Sequence, residues 1–159
     1  MHFQKGIKYF FRLIIILLAI SSCTADPCEY PDGVRTNIGF YTYDGRTLQD
    51  TLFDSLKVYL LNDSSALFYD GTSEKINKIT LPLSMISDTS SFVMEFESGI
   101  RDTLTLVYTQ YLKLVSHECG FVNYYNITNY EASNNLIDSL WIRKDLVEYG
   151  NEENIKIYF

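Results

Sequence analysis

From residue 34 to residue 159 apolar and polar side chains alternate with a period of two, in short runs broken by turn residues. That period places successive side chains on opposite faces of an extended strand, so each run can bury one face and wet the other. Nine runs show it: residues 34–43, 55–61, 67–69, 79–83, 91–97, 102–114, 121–130, 136–142 and 155–159. In the longest, Leu104, Leu106 and Tyr108 share one face; in the last, Ile155, Ile157 and Phe159 do. Asp44-Gly45 and Asp70-Gly71 are turn signals, and Asn62-Asp63-Ser64-Ser65 breaks the chain. Pro82 marks its run as an edge strand or a strand end. No stretch sustains a 3.6-residue stripe, and the Asn-rich residues 129–135 leave room for one helical turn at most. Short strands at this spacing predict an all-β fold, an antiparallel two-sheet β-sandwich of about nine strands, with a closed β-barrel as the alternative.

The N-terminus has a different grammar. Lys5, Lys8 and Arg12 precede the apolar run of residues 13–20, and Ser21 and Ser22 lead to Cys23. This is the layout of a secretory signal. Eight apolar residues are too few to span a bilayer, which takes roughly 20. Ile20-Ser21-Ser22-Cys23 resembles a bacterial lipobox, in which the cysteine thiol is acylated and becomes the new N-terminus. An ordinary secretory cut beside a cysteine is the competing reading. The chain therefore divides into a lipoprotein signal peptide at 1–22, a short lipidated tether at 23–33 and one domain at 34–159. The expected location is the cell envelope, lipid-anchored in the outer membrane and facing the periplasm.

Export decides the cysteine chemistry. With Cys23 assigned to lipid, Cys28 and Cys119 remain, and an oxidising compartment favours pairing them as a disulfide over two buried thiols. Charge excludes one class of partner. Three of the 13 Lys and Arg but none of the 20 Asp and Glu fall in the first 22 residues, leaving 10 basic against 20 acidic side chains. A nucleic acid is a poor partner for such a surface.

Several short segments together carry a resemblance. They are the lipobox cysteine with Cys28 close behind, Leu81-Pro82-Leu83, Asp102-Thr103-Leu104 leading to Tyr108, Ser116-His117-Glu118-Cys119-Gly120, and a terminal Asn154-Ile155-Lys156-Ile157-Tyr158-Phe159. In these the chain resembles a family of Bacteroidota envelope lipoproteins known as domain of unknown function 6452. The resemblance implies an envelope location and supports the Cys28–Cys119 pair; it implies no catalytic residue.

The residues themselves offer little catalytic chemistry. His117-Glu118-Cys119 reads as a polar loop rather than a metal fragment, since zinc takes about four ligands and the other histidine, His2, lies in the signal. No metal or cofactor is expected. There is no Gly-x-Ser-x-Gly elbow, and residues 44–50 lack the alternating ligands of a calcium loop. Paired carboxylates capable of glycoside hydrolysis cannot be told apart from chance among 20 acids. Tyr124, Tyr125, Tyr130 and Trp141 lie among asparagines and suggest a sugar-binding platform, against the plainer reading that they pack a core. Asp50-Thr51-Leu52 and Asp54-Ser55-Leu56 resemble the O-glycosylation motif of exported Bacteroidota proteins, making Thr51 and Ser55 candidate acceptors. The expected function is that of a non-enzymatic envelope module of unknown ligand that binds another envelope component, an envelope protein or a glycan, with a glycan-binding module and a carboxylate-based hydrolase as alternatives.

Overall fold

The computed structural model describes residues 33–72, 75–117 and 120–159. Cys23, Cys28, Glu118 and Cys119, with the signal and tether calls made on residues 1–32, lie outside the described residues. The strands are β1 (Arg35–Asp44), β2 (Thr47–Asp50), β3 (Lys57–Leu60), β4 (Asp63–Asp70), β5 (Lys78–Pro82), β6 (Thr89–Glu95), β7 (Arg101–Ser116), β8 (Gly120–Ala132), β9 (Ser139–Ile142), β10 (Leu146–Val147) and β11 (Ile155–Tyr158). They form two sheets and no closed barrel. One runs β2-β1-β11-β9, with β5 also on β1; the other runs β10-β8-β7-β6-β3-β4. The fold is a two-sheet β-sandwich.

Alternation determines which face each strand buries. Ile38 and Phe40 on β1, Ile155 and Ile157 on β11, and Leu104, Leu106 and Tyr108 on β7 all point into one shared core. Phe53, Phe96 and Phe159 close one region of it, with ring centroids 4.9 to 5.5 Å apart. Fully burying such a side chain contributes roughly 1.5–3 kcal/mol. β5 ends at Pro82 and pairs only with β1, as a strand that loses a donor there must. Among the described residues β1 and β11 are the one parallel pair, Ile38 opposite Ile155, and they meet at the centre of their sheet.

Among the described residues there are eleven strands rather than nine. β2 is exposed along its whole length, so it has no inward apolar face to produce alternation. β10 is two residues long. The break expected at Asn62-Asp63-Ser64-Ser65 is narrower: the turn is Leu61-Asn62, and β4 starts at Asp63 with a polar, exposed half. Residues 129–135 form no helical turn. β8 continues to Ala132, and Asn134 then takes a left-handed φ of 56°.

A buried carboxylate explains that loop. Asp102, 1% exposed on the inner side of β7, is wrapped by the β8–β9 connection. Its Oδ1 accepts from the Ser133 hydroxyl and the Asn135 amide, both at 2.6 Å. Its Oδ2 accepts from the amides of Leu136 at 2.8 Å and Ile137 at 2.9 Å. Burial works against ionisation, but the Ser133 hydroxyl and the three amides outweigh it and hold the carboxyl below its usual range. The segment that reads as a potential helix is instead shaped around one charge.

Candidate functional site

The outer face of the first sheet is where aromatic and charged groups gather. Because Ile38 and Phe40 point inward, β1 must present Gly39, Tyr41 and Tyr43 outward; β11 likewise presents Lys156 and Tyr158, and β9 presents Trp141. Register brings them together: Gly39 lies opposite Lys156, Tyr41 opposite Tyr158, and Lys156 opposite Trp141. Tyr43 stacks on Tyr158 with centroids 5.8 Å apart and ring planes 11° from parallel. Tyr43 is 61% exposed and Trp141 54%. An exposed aromatic row of this kind is unusual on a wet sheet face, where polar side chains are the rule.

A charged cluster sits in the middle of this face. Glu153 occupies the space that the missing side chain of Gly39 leaves: a Cβ built on Gly39 would lie 2.0 Å from Glu153 Oε2. The Tyr41 hydroxyl donates to that oxygen at 2.6 Å. The other oxygen faces Arg143 Nη1 and Lys156 Nζ, each at 3.8 Å. Lys156 Nζ also lies 4.2 Å from the centre of the Tyr41 ring, a cation–π contact. Burial, then the hydrogen bond and charge of Glu153, push the Tyr41 phenol up to about 12. Burial, with Tyr43 and Glu153 nearby, also raises Tyr158. At neutral pH both therefore keep their hydroxyl protons. The surface thus carries aromatic rings and two cations around a carboxylate whose Oε1 is buried without a hydrogen-bond partner.

Of the four aromatics singled out from sequence, only Trp141 belongs to it. Tyr125 points into the core, its ring T-shaped against Tyr108 at 5.2 Å and its hydroxyl donating to the Leu83 carbonyl at 3.3 Å. Tyr130 is half-buried and donates to the Leu140 carbonyl at 2.6 Å. Tyr124 is buried on the opposite face of β8 from Tyr125, against Tyr149 at 5.8 Å and beneath Lys113 Nζ at 4.7 Å. The four make no common platform, and the three tyrosines pack the fold. Tyr41, Tyr43 and Tyr158 were missed because alternation was used to find inward residues. The same alternation, read for its outward positions, puts them on one face.

The Thr51 hydroxyl oxygen is buried and the Thr51 amide donates to the Phe40 carbonyl at 2.9 Å; Ser55 is half-buried. In the folded domain Thr51 thus offers no surface hydroxyl. Among the described residues no three His, Cys, Asp or Glu side chains assemble as a metal-binding group.

No curated protein and no solved structure matches the chain. The sequence model of a family of unknown function, DUF6452, matches residues 55–159, from just before β3 to the last residue. Trp141, Glu153, Lys156 and Tyr158 fall within that match, whereas Tyr41 and Tyr43 on β1 precede it. With two-thirds of its length covered by that match, the chain belongs to the DUF6452 family.

Proposed function

We propose that the chain is an envelope lipoprotein, anchored through lipid on Cys23, that binds another envelope protein through the outer face of its first sheet. It faces the periplasm from the outer membrane, and Cys28 is joined to Cys119. The observation that carries the binding reading is the exposed Tyr43 and Trp141, with the half-buried Tyr158 stacked on Tyr43, around the Glu153 cluster. Tyr, Trp and Arg are the residues that dominate binding energy at protein interfaces.

A sugar is the second reading, favoured by the stacked Tyr43–Tyr158 pair and the protonated phenols beside it. A photoreactive side chain at position 141 in the envelope-borne chain separates the two. Linkage to an envelope protein supports the first; binding on a glycan array, lost in Tyr43→Ser with Trp141→Ser, supports the second; neither result overturns both. Palmitate-analogue labelling should disappear in Cys23→Ala, and intact mass with and without reductant reports the disulfide.

A further inference from the structure

The β7–β8 hairpin outruns the sandwich. Beyond Tyr125 and its partner Gln110, its strands pair only with each other among the described residues. The alternation that buries Leu104, Leu106 and Tyr108 continues through Leu112 and Leu114, and Phe121 faces Leu114 across the hairpin. Yet Leu112 is 66% exposed, Leu114 56% and Phe121 68%. The other face of this arm carries the exposed Tyr111 and Lys113, whose ammonium lies 4.7 Å from the centre of the Tyr124 ring. Glu118 is the sole acidic residue between Asp102 and Glu131, in a chain with 20 Asp and Glu. The arm is thus amphipathic in the manner of segments that lie in a lipid interface. It has apolar side chains on one face, a tyrosine and a snorkelling lysine on the other, and little negative charge.

A second apolar projection stands at the same end of the sandwich. The loop at residues 83–88 joins the end of β5 to the start of β6, and Tyr108, where the arm begins, holds it. The Ser84 amide donates to the Tyr108 hydroxyl at 2.8 Å, and the Tyr108 amide donates to the Asp88 carbonyl at 2.9 Å. The Ser84 hydroxyl oxygen accepts from the amides of Ile86 and Ser87, each at 3.2 Å. Met85 and Ile86, 68% and 98% exposed, are therefore presented by a braced turn. Leu114 lies about 20 Å along β7 from Tyr108. Projections so far apart do not make the one continuous patch, roughly 800 Å² per partner, that a stable protein interface buries. A fluid bilayer moulds itself to each. The chain also enters the domain at this end: Arg35, the first residue of β1, pairs with Pro82, the last of β5. Gly33 lines one cleft with Tyr149, which packs on Tyr124 of the arm. Cys23 stands ten residues before Gly33, so the two are at most about 36 Å apart whatever the path between them.

We infer that the bilayer covers this end: the arm enters the lipid surface through Leu112, Leu114 and Phe121, with Met85 and Ile86 as a second contact. This rests on the lipoprotein reading, since the anchor sets which surface lies within reach. Tyr43 and Tyr158 lie toward the opposite ends of β1 and β11, so the recognition face stays clear of the lipid. The test is fluorescence of the chain recovered from the envelope, carrying Phe121→Trp with Trp141→Phe, in vesicles of phosphatidylethanolamine and phosphatidylglycerol. Its emission should shift to the blue and fall about twofold when the acyl chains are brominated. Trp141, the single tryptophan of the parent, should not be quenched. Unquenched emission from position 121 overturns the inference, and if intact mass then shows lipid on Cys23 the anchor reading survives it. Quenching without that lipid supports the inference and overturns the anchor; neither quenching nor lipid overturns both. Independently, a benzophenone side chain in place of Ile86 in the envelope-borne chain should link to lipid. Linkage to a second copy or to an envelope protein instead, or no linkage, contradicts the bilayer contact.

Discussion

Asp102 is a carboxylate on β7 and Glu153 one in the connection before β11, and their surroundings differ. Asp102 accepts four hydrogen bonds, three of them from consecutive backbone amides, and is sealed from water. Every acceptor position it needs is filled by its own chain, so it shapes a loop and has nothing left for a ligand. Glu153 accepts one hydrogen bond, from Tyr41, and meets two cations only at 3.8 Å, with its Oε1 left without a hydrogen-bond partner. A saturated charge serves the fold; a partly satisfied charge beside exposed rings is the one that the proposed binding face would use.

Asp102→Ala should have the largest effect. It strands three amides, that of Ile137 fully buried, and empties a buried site, for a loss on the order of 3–5 kcal/mol measured by denaturant unfolding. A loss as small as that of a surface substitution would break the comparison. The pH dependence should follow the same residue. The Asp102 carboxyl is depressed in the folded state, so its stabilisation is complete above its usual value of 3.8 and fades as pH falls through the lower folded value. Acid unfolding of Asp102→Ala should therefore be less steep below about pH 4 than that of the parent.

Gly39→Ala should cost less, about 1 kcal/mol, because its methyl group displaces the Glu153 side chain rather than the backbone. Glu153→Gln should cost less still, since it keeps the side-chain volume and an oxygen for the Tyr41 hydroxyl while both cations stand as far off as 3.8 Å. It should nevertheless bring the Tyr41 phenol down from about 12, seen in ultraviolet titration of tyrosine. An unmoved titration would show that Glu153 does not control that hydroxyl.

The fold was legible because burial is periodic. Ile38, Phe40, Leu104 and Ile157 announce their strands, and Pro82 announces an edge. β2 was not legible because Thr47, Leu48, Gln49 and Asp50 bury nothing, and the loop at residues 133–138 was not because its order comes from Asp102, some thirty residues away. The site was half legible. Trp141 was found by its chemistry, but local clustering with Tyr124, Tyr125 and Tyr130 was mistaken for proximity on one surface. Tyr41 and Tyr158 are 117 residues apart in sequence and become neighbours only through the parallel β1–β11 pairing, which no local pattern encodes.

The central claim is that the outer face of the first sheet binds while the rest of the domain supports it. The direct measurement is paired melting and photo-crosslinking of the envelope-borne chain carrying Tyr43→Ser, with the photoreactive side chain at position 141. The account predicts a melting temperature within a few degrees of the parent, because Tyr43 is on the surface, and loss of the crosslinked envelope protein. An unchanged crosslink to that protein, or a collapse in stability that matches Asp102→Ala, would contradict it.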